Sequence, residues 1–548
     1  MSISFRYKFN MYTSEHDTIN IRKTIPTTQR HSILLKLNSS PTVKSHQEIP
    51  QSPTPYSIKT ERLLLKMTKS VAKNYIYNVA YEILAIIIPL ITTPYLSRVL
   101  GAEKIGIYSY TLSIVTYFIL FGSLGVAMYG KREIAFAQKD IEKRSRAFFE
   151  IFLMRLATLT LSMFLFFFVF CSHGEYKVYY AILLFEIIAN IVDISWYFQG
   201  LEEFKKTVIR NVLVKVISLV SIFIFVKTPD DLWKYFLIYV LSTLLGNLSL
   251  WIYLPKFIKK QRIKDLNIKK HLKPTLMLFI PQIATQIYTV LDKTMIGTII
   301  SDKSEVGFYE QAQKIIKLSL TLATSFGIVM MPRVAATFAE GNKAQIKKYT
   351  KTSFSFILML TFPLMFGLCG IANKFVPVFY GDGFEKVSIL ICVISPILVL
   401  IGLSNVVGTQ YLLPTKQQNK YTLSVVIGAV VNFILNLILI RHLQSVGASI
   451  ATVIAELAVT ATQLILVKDQ IKFTDVMKIG YKYLIASVIM FGCSLGISAL
   501  INNNFLSVII QIVVSILVYF ALLIALKEKF ILELVDKTKQ KLKHTSLR

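Results

Sequence analysis

The sequence is poor in cysteine and in acidic residues. Its 548 residues include 4 cysteines, and 31 Asp or Glu stand against 61 Lys or Arg. The cysteines are isolated from one another, with no CxxC pair: Cys171, Cys369, Cys392 and Cys493. This spacing argues against a disulfide framework, and we expect the four to be small buried packing residues.

Motifs for metal or nucleotide chemistry are also missing. The seven histidines form no HExxH sequence, and none pairs with a cysteine at the spacing of a zinc site. No GxxxxGK[ST] loop is present, which argues against ATP as the direct energy source. The longest predicted outer loop, 371–385, is too short for a catalytic domain. We therefore predict no metal, no cofactor and no enzymatic activity.

Long apolar blocks are what the sequence has instead. Hydrophobic residues make up 54% of the chain and recur in blocks of about twenty residues, the length that crosses a bilayer as a helix. The blocks lack the alternation of a β-barrel. We predict an all-α polytopic membrane protein of about fourteen spans. Their approximate cores are 76–97, 105–128, 149–170, 178–198, 208–226, 233–254, 276–299, 314–331, 353–370, 387–411, 421–440, 446–467, 482–501 and 505–526.

The net charge of +30 is concentrated in alternate loops between these spans. Basic stretches such as 131–146, 256–273 and 527–548 all fall on one predicted side. The positive-inside rule accounts for them, and a nucleic-acid partner is not needed. We expect both termini to be cytoplasmic.

Residues 1–66 differ from the rest of the chain, being polar, rich in Ser, Thr and Pro, and poor in acids. They contain no apolar signal-peptide core. We expect either a disordered extension or a misassigned start ahead of Met67. A transit-peptide interpretation is the alternative.

The remaining chain contains an internal repeat. Ile105-Gly106-Ile107-Tyr108 matches Val306-Gly307-Phe308-Tyr309 at an offset of about 201 residues. A second match follows at nearly the same offset, between Gly125-Val126-Ala127-Met128 and Gly327-Ile328-Val329-Met330. An even number of spans separates the copies, so both have the same orientation. We predict two six-helix lobes around a central cavity, 67–273 and 274–470, followed by two additional helices and a basic tail in 471–548.

Polar residues inside the apolar blocks are the candidate functional residues. An ionised side chain at the bilayer centre costs about 2.5–3.5 kcal/mol, so such residues should face the interior. The predicted cavity cations are Lys293, Arg155, Lys215, Lys314 and Lys317. The predicted polar contacts are Gln282, Gln286, Asn78 and Asn190. Lys and Arg near span ends also fit interface anchors, and Glu310 with Lys314 also fits a simple i,i+4 pair.

Several motifs resemble one transporter family. NYIYN, TTPYLSRVLGAEKIGIYSY and GVAMYGKREIA lie in the first lobe, and PQIATQIYTVLDKTMIG, VGFYEQAQKI and MPRVA lie in the second. Together they resemble the oligosaccharide repeat-unit flippases of the MOP exporter superfamily, across essentially all of 67–548. The family's LDK/R motif corresponds to Leu291, Asp292 and Lys293. Residues 1–66 have no counterpart in it.

The resemblance implies a bacterial inner-membrane protein that moves an undecaprenyl-pyrophosphate-linked oligosaccharide to the outer leaflet, for capsule, O-antigen or cell-wall polymers. Its partners would be this lipid, the bilayer, a polysaccharide polymerase and glycosyltransferases. Alternating access would be driven by the membrane potential, with H⁺ or Na⁺ counterflow as an additional hypothesis. The candidate ion-coupling residues are Asp292, Glu82, Asp193 and Glu456.

Three alternatives remain open on the sequence. A peptidoglycan-precursor flippase or a drug or metabolite antiporter would share the fold, although the antiporters usually have twelve spans. A membrane polysaccharide polymerase would need a large outer loop with catalytic residues, which the sequence lacks.

Overall fold

The structure is a computed structural model that describes the backbone of residues 55–172 and 174–533. Side chains are described from 87 onward, except 173, 263, 280–289 and 534–548. Contacts divide the chain into two units, 1–72 and 73–548, and the described side chains belong to the second. The predicted extension 1–66 therefore lies outside the described side chains, although a helical backbone already begins at Pro55.

Within this part of the chain nearly every residue is helical, and no strand occurs. The all-α prediction is confirmed. The helices are α1 (Pro55–Ser123), α2 (Val126–Phe136), α3 (Ile141–Phe166), α4 (Lys177–Ile191), α5 (Ser195–Gly200), α6 (Phe204–Phe225), α7 (Leu232–Trp251), α8 (Lys269–Ile299), α9 (Ser304–Ala339), α10 (Lys343–Tyr380), α11 (Glu385–Ile394), α12 (Ile397–Ser404), α13 (Gln418–Leu466), α14 (Phe473–Leu500) and α15 (Asn504–Ala525).

Two of the long helices are interrupted. Gly101 has φ +74° inside α1, and Gln444 has φ +54° inside α13. Each break falls between two of the predicted spans, so α1 and α13 each contain two of them. Eleven helices among the described residues are long and apolar enough to cross a membrane. This confirms a polytopic protein, and the count of fourteen stays a prediction.

The two repeat copies contact each other on the side predicted to be outer. A Cβ on Gly106 would overlap the carbonyl oxygen of Lys303, and a Cβ on Gly307 would overlap that of Ala102. The offset of 201 residues relates both pairs, because 102 and 106 correspond to 303 and 307. The contact is therefore reciprocal, as a two-fold relation between the copies requires. Only glycine allows the backbones to approach this closely.

Polar contacts across the same side join the predicted lobes. Gln311 donates from Nε2 to Ser97 Oγ at 2.9 Å, and Arg98 donates from Nη2 to the Val378 carbonyl at 2.6 Å. The Lys303 ammonium binds carbonyl groups at the end of α8 and lies 5.1 Å from the centre of the Tyr110 ring. Burial lowers the pKa of Lys303 from its ordinary value. These contacts hold the lobes together at this side.

The two additional helices pack on the second lobe. Tyr519 of α15 donates to the Met359 carbonyl of α10 at 2.8 Å, and Gln511 donates to the Ser494 carbonyl of α14 at 3.0 Å. Tyr483, Met490 and Tyr519 share a buried cluster with side chains of α10. Helices α14 and α15 therefore extend the second lobe.

The expectation of four buried cysteines is wrong for Cys493, which is exposed on α14. The other three are partly buried. In a membrane helix an apolar thiol meets no penalty on the lipid-facing surface, so burial does not follow from its polarity.

The glycine contact predicts that Gly106→Ala opens the predicted outer side. The added methyl group has no room, and overpacking costs about 1–3 kcal/mol. A cysteine at Ser97, which is 1% exposed, in a chain lacking the native cysteines should then react faster with a membrane-impermeant maleimide. Gly492→Ala is the control, because no atom lies within 4 Å of its Cβ position. Equal rates in both variants would contradict the close contact.

Candidate functional site

Three lysines and one glutamate gather where α8 packs against α9. Lys293 Nζ lies 2.6 Å from Glu310 Oε2, and Lys314 Nζ lies 3.9 Å from Glu310 Oε1. Lys317 lies one turn further along α9, within Coulombic range of Lys293 and Glu310. The side chains of Lys293 and Glu310 are 19% and 16% exposed, so the pair is largely enclosed. We call these four residues the lysine cluster.

The sequence placed Lys293, Lys314 and Lys317 among the cavity cations, and the structure brings all three together. It also adds Glu310, which is not among the predicted site residues and for which an i,i+4 pair with Lys314 is one interpretation of the sequence. Its closer contact is with Lys293, on another helix. The cluster carries three ammonium groups and one carboxylate, which leaves an excess of positive charge.

Asp292, the neighbour of Lys293, belongs to a separate network. Its carboxylate accepts hydrogen bonds from Tyr309, from Thr452 Oγ1 at 2.8 Å and from Asn436 Nδ2 at 2.6 Å. The residue is 4% exposed. Its three partners are neutral donors from α9 and α13. Asp292 therefore fastens three helices of the second lobe together, which is sufficient to explain a buried carboxylate.

The first repeat does not reproduce the charges of the second. The repeat offset of 201 residues places Thr92 and Ser109 at the positions of Lys293 and Glu310, and both are buried. Ser109 is followed by Tyr110, and Thr92 donates to the carbonyl one turn before it in α1. The lysine cluster is thus a feature of the second lobe alone.

Arg155 and Asp193, predicted separately as a cavity cation and an ion-coupling residue, contact each other. Arg155 Nη1 donates to the Asp193 carbonyl at 3.0 Å, and Nη2 lies 3.7 Å from Oδ2. Asp193 lies in the turn after α4 and not on its face, because α4 ends at Ile191. Its Oδ1 accepts the backbone N–H of Ser195 at 2.9 Å. The pair links α3 to the turn that follows α4.

The other predicted residues are dispersed. Asn190 donates to the Glu186 carbonyl at 3.0 Å within α4, and Lys215 is half-buried on α6. Glu456 is 7% exposed on α13, in the second lobe. The remaining four predicted residues lie outside the described side chains: Gln282, Gln286, Asn78 and Glu82.

Sequence reasoning missed a second buried cluster, at the beginning of α8. Glu150 of α3 accepts from His271 Nε2 at 2.8 Å, from Lys270 Nζ at 2.6 Å and from the Asn267 N–H at 2.8 Å. His271 Nδ1 lies 2.7 Å from the Tyr129 hydroxyl. The cluster attaches the first turn of α8 to the first lobe, whereas Asp292 attaches its last turns to the second. No sequence signal indicated it, since the positive-inside rule already explained these cations.

A groove of about 610 Å³ lies between α6 and α7. Its lining is mostly apolar, with Arg210 and Lys234 among the lining residues. Arg210 donates to Asn247, which in turn donates to the Ala189 carbonyl at 2.7 Å. None of the predicted site residues whose side chains are described lines this groove.

Comparisons with known proteins agree with this arrangement. Residues 71–338 match the family described as Polysaccharide biosynthesis protein. A protein of Escherichia coli K12 named as a candidate O-antigen transporter is 24% identical over 415 residues, which cover 73% of this chain and 97% of that protein. The predicted resemblance is confirmed. The chain is similar to this family over residues 71–338, just under half of its length.

Two solved structures share the fold of this chain. The lipid II flippase MurJ in an inward closed conformation aligns with a TM-score of 0.66 at 19% identity, covering 83% of this chain and all of that one. An inward-facing multidrug resistance MATE transporter aligns at 0.53 and 13% identity, covering 74% of this chain and 95% of that one. The chain thus has the helical fold that these transporters share.

The Asp292 network predicts that Asp292→Ala destabilises the protein. The substitution removes an acceptor shared by three buried donors, and a buried donor that finds no other acceptor costs about 1–3 kcal/mol. Thermal unfolding of the purified protein should show a clearly lower midpoint. Asp382→Ala, at an exposed position, is the matched control. An unchanged midpoint for Asp292→Ala would rule out the fastening role.

Proposed function

We propose that the protein is a flippase for a lipid-linked oligosaccharide, moving an undecaprenyl-pyrophosphate anchor and its sugars from the cytoplasmic to the outer leaflet. The lysine cluster supports this most directly. An anchor pyrophosphate carries about two negative charges, and an excess of ammonium groups inside the membrane is the complementary binding site. Lys293, Lys314 and Lys317 would bind the pyrophosphate.

The sugars need a polar route as well. Each unpaired polar group costs several kcal/mol in hydrocarbon, so the oligosaccharide must pass between the lobes. Gln282, Gln286, Asn78 and Asn190 are the proposed contacts for hydroxyl groups. The prenyl chain can remain in the lipid throughout. Arg155 and Lys215 remain proposed cavity cations of the first lobe, with Arg155 available once its contact with Asp193 opens.

The sign of the charge favours this cargo over the cationic substrates of a drug antiporter. A cluster with three ammonium groups and one carboxylate repels a cation and attracts an anion. A peptidoglycan-precursor flippase would carry the same type of anchor. Identifying the sugar on the lipid that accumulates without this protein distinguishes the two cargoes.

The proposed orientation follows from the loop charges. With the basic loops in the cytoplasm, both termini lie inside and the glycine contact faces outward. The location would be a bacterial inner membrane, with glycosyltransferases and a polysaccharide polymerase acting before and after transport. A negative interior favours outward movement of an anion by about 2.3 kcal/mol per charge per 100 mV. Ion counterflow through Glu82, Asp193, Asp292 or Glu456 is the additional hypothesis.

The cluster predicts that Lys293→Met abolishes export. Cells depleted of the protein should accumulate a lipid-linked oligosaccharide that a membrane-impermeant glycosidase cannot reach. The unaltered chain should restore access, and Lys293→Met should not, because the proposed anion site loses the cation that lies nearest to Glu310. Lys347→Met, at an exposed position on α10, should behave like the unaltered chain. Full access in depleted cells would overturn the proposed function.

A further inference from the structure

Helix α9 carries two enclosed glutamates with different partners. Glu305 pairs with Lys386 at 2.5 Å and also accepts from the N–H and hydroxyl of Ser445, at 3.2 and 2.6 Å. Glu310 is different. Among the described residues both of its oxygens face ammonium groups only, those of Lys293 and Lys314. Glu305 is thus fixed by neutral groups as well as by a cation, whereas Glu310 depends on its cations.

The groups around Glu310 come from four helices. Lys293 faces it from α8, and Lys314 and Lys317 from α9 itself. Asp292 of α8 lies within Coulombic range of Lys317. Two hydroxyl groups lie within Coulombic range, Tyr235 of α7 and Tyr380 of α10. Tyr235 belongs to the first lobe, so Glu310 lies where the lobes meet. Any anion that binds Lys293 and Lys314 must compete with this carboxylate.

We propose that Glu310 is an exchangeable counter-ion, which the anionic headgroup of the cargo displaces and which takes up a proton as it is displaced. The inference rests on the proposed function, because it requires a pyrophosphate at the lysine cluster. The headgroup oxygens form ion pairs with Lys293 and Lys314 in place of Glu310. The carboxylate accepts a proton from water and returns it when the cargo leaves, and no covalent bond of the cargo changes.

Electrostatics fixes the sign of this coupling. With Glu310 charged, the cluster has a net charge of two positive units. With Glu310 neutral it has three, which a dianion prefers. Protonation and cargo binding therefore favour each other, and by linkage each strengthens the other by the same factor. Asp292 does not share this property, because neutral donors hold its carboxylate whether or not the cargo is bound.

In the empty protein Glu310 has a second role. Three ammonium groups without a counter-ion would be costly in a site enclosed by the membrane. Glu310 holds two of them in place until the cargo arrives. The same carboxylate then supplies discrimination, since a ligand must offer enough negative charge to replace it. A neutral lipid or a cation cannot replace the Glu310 carboxylate.

The test measures binding of undecaprenyl pyrophosphate to the purified full chain in lipid nanodiscs, between about pH 4 and about pH 8, because the ammonium groups beside Glu310 favour its charged form. The unaltered chain should bind more tightly as the pH falls. The probe cannot produce this trend itself, because its terminal phosphate loses charge towards about pH 6. Glu310→Gln should bind about tenfold more tightly at about pH 8, within the usual range for linked sites. It should also lose the pH dependence.

Two matched variants act as controls. Glu305→Gln removes the other enclosed glutamate of α9, and Asp292→Asn removes the other carboxylate beside the cluster. Glu305→Gln should keep the pH dependence of the unaltered chain, and Asp292→Asn tests whether the neighbouring carboxylate takes up the proton instead. If Glu310→Gln keeps it too, or binds more weakly, the exchange role is wrong. If Asp292→Asn loses it instead, Asp292 is the proton site.

A measurement on the unaltered chain guards against a variant that fails to fold. When the protein is mixed with undecaprenyl pyrophosphate in a weakly buffered solution, the complex should take up protons from the solution. A pH-sensitive dye follows this uptake. Binding without proton uptake would overturn the inference and leave the proposed function intact. No binding at any pH would overturn the proposed function itself.

Discussion

The cost of an ionised side chain in hydrocarbon is the constraint on which this structure depends. A charge near the bilayer centre must be paired, hydrated or neutral. The second lobe meets this requirement in two ways along one stretch of α8. Asp292 is surrounded by neutral donors, whereas Lys293 pairs with a carboxylate. The first arrangement joins helices permanently. In the second, an anion of the cargo can replace the carboxylate beside Lys293, and the transport of an anion requires an ion pair that can be exchanged in this way.

The repeat explains how such a site can be opened to either side. The two predicted lobes meet at a reciprocal glycine contact, where Gly106 and Gly307 allow backbone to touch backbone. Helix α8 is attached to the first lobe through Glu150 and His271 and to the second through Asp292. Any rocking of the lobes must therefore act on α8, the helix that carries Lys293. The repeat is asymmetric, since Thr92 and Ser109 stand in place of the charged pair, so the lysine cluster has no counterpart at the matching positions of the first repeat copy.

Much of this could be predicted from the sequence, because the signals are local. Apolar blocks of about twenty residues predict membrane helices, and matching tetrapeptides around Gly106 and Gly307 predict the repeat. Contacts between distant residues gave no such signal. Asp292 meets Asn436 and Thr452, 144 and 160 residues away, so its neutral surroundings could not be predicted. Arg155 and Asp193 looked like two separate sites for the same reason. Glu150 was missed because nearby cations already had an explanation in topology.

The most direct test of the account is transport in vesicles that contain only the purified protein. Lipid-linked oligosaccharide extracted from cells would be incorporated, and an interior-negative potential imposed. The account predicts that a membrane-impermeant glycosidase gains access to the sugar faster when the potential is applied. Vesicles with Lys293→Met should stay at the rate of protein-free vesicles. Access at the same rate with and without the protein would contradict the account, as would full activity of Lys293→Met.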